Sequence, residues 1–106
     1  METEQATQVA ALNDAFRRVG QGVTITPGVQ ELPDLFGLLE EVRHFDKWTQ
    51  DNDPYEEHDF GSVDIDGNRV FWKIDYYDPS LTAGSDDPAD PNITERVMTV
   101  MLAEEY

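Results

Sequence analysis

Residues 69–77, RVFWKIDYY, alternate Val70, Trp72, Ile74 and Tyr76 with Phe71, Lys73, Asp75 and Tyr77. Successive side chains of a strand point to opposite faces, so the pattern predicts a strand with one face built into a core. Upstream, residues 58–66 place Val63 and Ile65 on a common face. Asp66-Gly67-Asn68 lies between the two runs and supplies residues that tolerate positive φ, so the pair is expected to form a hairpin. Phe60 falls out of phase with Val63 and Ile65, which leads us to expect a bulge at Gly61.

The elements around this hairpin follow from periodicity. Val9, Leu12, Phe16 and Val19 recur at spacings of three and four and predict an amphipathic helix over 6–19, closed by Gly20 and Gly22. VTIT (23–26) is a short β-branched run before the Pro27-Gly28 turn signal, hence a strand. A second helix is expected over 33–47, with Pro33 in its first turn, Leu35, Leu38, Leu39, Val42 and Phe45 as its stripe, and Gly37 marking close packing. A third is expected over 93–104, from Ile93, Val97, Met98, Val100 and Met101, with Asn92 or Thr94 as N-cap and Glu95 near the positive end. The order α-β-α-β-β-α predicts an α+β fold: a small three-stranded, mainly antiparallel sheet with about three helices packed on one face. At 106 residues, with five Phe, four Tyr and two Trp, one domain spanning 1–106 is expected.

Charge narrows the function. The net charge is −16, and residues 51–106 carry 15 acids against Arg69, Lys73 and Arg96. Such a field repels nucleic acid and anionic membrane, whose recognition needs cationic side chains, and it attracts basic proteins. Solubility, or a salt-rich source, would account for the same acidity. There is no cysteine, and hence no disulfide, thiolate metal site or thiol nucleophile. With no signal-peptide pattern near the start and no membrane-length apolar window, a cytoplasmic protein is expected.

The densest acidic stretch, DNDPYEEHDFG (51–61), lacks the spacing of the sites it resembles. An EF-hand opening at Asp51 would need an oxygen ligand, a glycine and a glutamate where Tyr55, Glu56 and Ser62 stand. A transition-metal site wants several histidines on one face, and only His44 and His58 are present. His44 is expected as a partly exposed helix residue. His58 has Glu57 and Asp59 as neighbours, but these would point away from it on a strand, so activation as a base requires a carboxylate from elsewhere. A nuclease-like carboxylate-x-Lys pair is broken by Phe71, and no phosphate loop or G-x-S-x-G elbow occurs. No catalytic residue, cofactor or metal ligand is therefore assigned.

What remains is a surface. Alternate strand residues lie about 6.6 Å apart on one face, on the order of the phosphate repeat of a nucleic-acid strand. Asp64 and Asp66 have that spacing, and the acidic loops 51–59 and 78–90 are expected to extend it from either end of the hairpin. The predicted partner-binding set is Asp51, Asp53, Tyr55, Glu56, Glu57, Asp59, Asp64, Asp66, Asp75, Asp78, Asp86 and Asp87, with Tyr55, Tyr77 and Trp48 as aromatic anchors. The competing expectation is that Trp48 and Tyr55 only cover the sheet edge. The Pro-, Gly- and Asp-rich loop 78–92 is expected to be functional or mobile.

LNDAFRR (12–18), DNDPYEEHDFG (51–61), FWKIDYYD (71–78), SDDPAD (85–90) and MLAEEY (101–106) together resemble a family of small bacterial proteins, domain-of-unknown-function family 3768. The resemblance spans the chain from about Ala11 and brings no reaction, cofactor or catalytic residue. It implies members in bacterial chromosomes and mobile elements, and so an accessory role in conflict between host and invading element. With the charge, this leads to the expected function: a non-enzymatic acidic module that inhibits a nucleic-acid-handling protein, of anti-restriction or anti-CRISPR type, by nucleic-acid mimicry. The expected partner is the basic surface of a nucleic-acid-binding effector, with no direct contact to nucleic acid or membrane. The alternative is a small hydrolase or metal-dependent enzyme using the 51–59 Asp/Glu/His cluster.

Overall fold

The computed structural model describes residues 4–20 and 22–106. Helix α1 spans Glu4–Val19 and buries Ala6, Val9, Ala10, Asn13 and Arg17. This line is rotated from the apolar stripe that the spacing predicted, for Val19 is 64 % exposed. Asn13 and Arg17 tolerate burial because both find hydrogen-bond partners across the core. Strand β1 (Val23–Ile25) follows as expected. Pro27-Gly28 does not turn the chain; Pro27 opens a single helical turn, α2 (Pro27–Gln30).

The next helix is shorter than predicted. Helix α3 spans Leu35–Arg43, begun by Asp34, whose side chain accepts the Gly37 N–H at 3.0 Å. A side chain on Gly37 would overlap that capping carboxylate, which is the close approach the glycine serves. Phe45 leaves the helix but stays buried in the core.

Strands β2 (Phe60–Ile65) and β3 (Asn68–Tyr77) form the expected hairpin. Asp66 (φ 51) and Gly67 (φ 78) both adopt positive φ and make a two-residue turn. The ladder runs without a bulge: Gly61 stands opposite Trp72. A side chain there would strike the Trp72 indole, so the glycine makes room for a ring. Phe60 is out of phase because it belongs to the other face, with Phe71 at 5.2 Å and Tyr106 at 6.2 Å between ring centroids.

The final element overturns the helix expected over 93–104. Glu95–Leu102 is strand β4, placed between β1 and β3 in a four-stranded sheet of order β1-β4-β3-β2. It runs antiparallel to β3 and parallel to β1. Arg96, Met98 and Val100 are buried on the helix side, while Val97, Thr99 and Met101 lie opposite Asp75, Lys73 and Phe71 on the far side. A central strand with apolar residues on both faces loses the alternation that marks a half-buried one, and its residues then coincide with helical spacing. The α+β class stands with three helices, α1, α2 and α3, but the sheet has four strands rather than the three expected, because the segment 93–104 supplies a strand and not a helix.

Val29, Leu38, Val42 and Phe45 pack on Val70, Trp72, Ile74, Met98 and Val100 to form the core. Trp72 is fully buried at its centre. Among the described residues no helix is long and apolar enough to cross a membrane.

Candidate functional site

The acidic stretch is held as a hook. Thr49 N–H donates to Asn52 Oδ1 at 2.9 Å and Asn52 N–H to Thr49 Oγ1 at 3.2 Å, while Asp53 N–H bonds Thr49 O at 2.8 Å. These reciprocal bonds close one turn. Glu56 and His58 then both take φ of 58°, turning the chain back toward the helices. Asp53 Oδ1 fixes that return by accepting the His58 N–H at 3.0 Å.

The hook delivers His58 to Trp48, with ring centroids 4.0 Å apart and planes 6° from parallel. His58 Nδ1 lies 3.0 and 3.1 Å from the two carboxylate oxygens of Asp14 on α1. A carboxylate only accepts, so Nδ1 carries the proton in this bond. Nε2 lies 3.6 Å from Asp53 Oδ2. Behind Asp14, Arg17 pairs with it at 3.2 Å, donates to Phe45 O at 3.0 Å and sits over the rings of Trp48 and Trp72. Burial pushes the Arg17 guanidinium down from its ordinary value, and Asp14 opposes the shift.

A second network adjoins the first. Asn13, fully buried, donates to Glu57 O at 2.9 Å and to Tyr76 Oη at 2.8 Å, and its own oxygen accepts from Arg96 Nε at 2.7 Å. Arg96 also holds Pro88 O at 2.6 Å, and Tyr76 donates to Asp59 Oδ2 at 3.5 Å. Burial, followed by the charges of Asp59 and Asp53, raises the Glu57 carboxyl. Burial raises Asp59 as well, Asp53 and Asp75 add to it, and hydrogen bonds from its own backbone and Tyr76 oppose it.

The predicted site residues therefore separate. Asp53 is 5 % exposed and spent on His58, and Glu57 and Asp59 are half-buried against α1 and β3. Asp75 pairs with Lys73 at 3.2 Å. Asp78 accepts from Ser80, Thr82 and the Thr82 backbone, which holds its carboxyl below the usual range. Asp87 accepts from Ala89 N–H and from Gln5. Tyr55 is 79 % exposed, and Asp51, Asp64, Asp66 and Asp86 also face solvent. Asp64 keeps Arg69 at 3.2 Å. Glu56 is half-buried beside the His58 cavity.

Two parts of the expected surface are corrected. Strand β2 ends at Ile65 and Asp66 is a turn residue, so Asp64 and Asp66 do not share a strand repeat. Loops 51–59 and 78–90 do not flank the hairpin from either end; one enters β2 and the other leaves β3, so both join its open end, away from Asp66. Trp48 is built into the aromatic core, at 4.9 Å from Phe45 and 5.9 Å from Trp72, rather than presented as an anchor. The loop after β3 is tied down by Ser85 to Tyr76 O, Ser85 to Thr94 and Thr94 to Asp87 O. His44 is exposed near Glu40, but it caps the end of α3 rather than lying within a helix as expected.

The carboxylate that reaches His58 is thus Asp14, with Asp53 on the other ring nitrogen, rather than Glu56, Glu57 or Asp59. Asn13, Asp14, Arg17 and Arg96 carry the site, and the sequence offered one signal for three of them: polar residues at i, i+1 and i+4 in a helix otherwise apolar on that side. A cavity of about 290 Å³ opens beside the imidazole, lined by Trp48, Thr49, Gln50, Asp53, Glu56 and His58. Chemically this is an imidazole oriented by one carboxylate, with its second nitrogen beside another. Among the described residues no three His, Asp or Glu side chains converge as a metal site.

Fold and site define an α+β domain that binds an acidic hook to its first helix through a network of buried Asn13 and Arg17 with part-buried Asp14 and His58. The chain belongs to the family described as "Protein of unknown function (DUF3768)", whose model matches residues 25–105. The match starts in β1, so His58, Asp53 and Tyr76 lie inside it and α1, with Asp14, lies before it. No curated protein and no solved structure matches the chain.

Proposed function

We propose that the protein is an acidic binding module that docks on a basic protein surface and inhibits a nucleic-acid-handling effector by occupying its nucleic-acid site. One observation carries this reading: the cations of the chain are largely consumed internally, leaving outward carboxylates uncompensated. Arg17 and Arg96 are buried, and Arg43, Arg69 and Lys73 are paired with Glu40, Asp64 and Asp75. Among the described residues no lysine or arginine lies in ion-pair range of Asp51, Asp66 or Asp86. Opposed charge of this kind speeds encounter and is screened by salt. The test captures proteins from a lysate with the wild type and with Asp51, Asp64, Asp66 and Asp86 all changed to Asn, then assays each captured protein for nucleic-acid binding. The reading expects nucleic-acid-binding proteins that the variant loses and whose nucleic-acid binding the wild type blocks. Equal capture by both, or undiminished nucleic-acid binding, would contradict it.

The Asp14 to His58 hydrogen bond favours a second reading, a small hydrolase with His58 Nε2 as general base. A panel of nitrophenyl esters, phosphates and glycosides tests it: turnover must be present in the wild type and lost in His58→Gln. Absence of turnover, or its survival in the variant, removes this reading.

A further inference from the structure

The two edges of the sheet differ. β1 has three residues, and Gln30 Nε2 reaches its Ile25 carbonyl at 3.4 Å. β2 has six, and its outer backbone can be assigned group by group. The two-residue turn makes Ile65 and Asn68 a hydrogen-bonded pair, so bonding alternates through Val63/Val70 and Gly61/Trp72. The Ile74 N–H to Asp59 O bond at 2.8 Å continues that phase. Phe60, Ser62 and Asp64 therefore turn their N–H and C=O groups away from β3.

Those of Ser62 and Asp64 face a groove rather than a neighbouring strand. A cleft of about 490 Å³ separates β2 from the segment following α3, lined by Glu41, Phe45, Asp46, Lys47, Val63 and Asp64 among others. The backbone of that segment bonds elsewhere: Phe45 N–H to Val42 O, Phe45 O to Arg17, Lys47 O to Asn52. Phe45 and Val63 give the cleft an apolar side. Asp64 is paired with Arg69, but Glu41 and Asp46 still outnumber Lys47, and a second copy of this −16 chain would be repelled from the cleft.

We infer that the β2 edge takes an extended cationic segment of a partner protein as a fifth strand, pairing with the free amides and carbonyls of Ser62 and Asp64. Apolar residues of the segment share the helix side with Phe45 and Val63, and alternating Lys or Arg residues share the far side with Asp64, displacing its Arg69 partner. The inference rests on the acidic-module reading and assigns the partner's conformation and place of contact.

The probe is an alternating Lys-Val peptide blocked at both ends, titrated into the labelled protein and followed by amide NMR and hydrogen exchange. Saturable shifts at Ser62 and Asp64 with slowed exchange of their amides are expected. Methylating alternate backbone nitrogens of the peptide should weaken binding about tenfold, the scale of one or two lost hydrogen bonds. Asp64→Lys should weaken it too, as should Ser62→Pro, which removes an outward N–H and leaves the ladder its bonds. Binding that ignores backbone methylation, or shifts confined to 51–59 and 78–90, overturns the edge site while leaving the acidic module standing. If no cationic probe binds the wild type anywhere, both fail.

Discussion

Asp51 and Asp53 stand two residues apart in the same acidic stretch and have opposite uses. Asp53 is buried, fixes the backbone of His58 and lies beside its ring; Asp51 is exposed with no lysine or arginine in ion-pair range among the described residues. The same division runs between Asp87, which holds its own loop, and its neighbour Asp86, which faces solvent. Acid count measures the supply of carboxylates. Donors within reach decide which of them fold the chain and which remain for a partner.

The inward set should be costly to disturb. Asn13→Leu leaves Arg96 Nε, Glu57 O and Tyr76 Oη without a shared partner and is expected to cost about 3–5 kcal/mol by urea unfolding. Asp53→Ala should cost about 1–3 kcal/mol, against at most about 0.5 kcal/mol for Asp51→Ala. Equal losses at 51 and 53 would break the comparison.

Asp59 and Glu57 sharpen it through pH. Their carboxyls are raised in the folded state, so the folded chain holds protons that the unfolded chain has already released. Stability from these groups is fully present below the ordinary carboxylate range and falls as pH rises from that range through the raised folded values. Asp59→Asn removes a charge that burial opposes while keeping an acceptor for Tyr76. It should raise the melting temperature at neutral pH and flatten the slope just above the carboxylate range; a lower melting temperature there would contradict the assigned cause. The smallest effect is expected from Asp66→Lys with Asp86→Lys, within about 0.5 kcal/mol of wild-type stability.

The hairpin was legible because its alternation, turn residues and apolar face agree. Strand β4 was not, because Val97, Met98, Thr99, Val100 and Met101 serve both faces of a central strand and mimic a helical stripe. Within the site, the His58 and Asp53 segment was visible as a cluster, and the need for a distant carboxylate followed from strand geometry. That Asp14 supplies it depends on how α1 packs, which a rotation by buried Asn13 and Arg17 decides and apolar periodicity does not reveal. The acids of 78–90 look like a charged surface in sequence; their bonds to nearby backbone appear only once the loop is folded.

Two variants of equal net charge test the central claim most directly. One changes the outward residues Asp51, Asp64, Asp66 and Asp86 to Asn; the other changes the exposed Glu4, Glu31, Glu95 and Glu104 to Gln. Calorimetric titration with an oligolysine peptide, which carries no apolar residues for the β2 edge, at two salt concentrations should show at least about tenfold weaker binding for the first and near wild-type affinity for the second. Equal weakening in both would mean that only total charge matters and that the outward carboxylates form no binding surface.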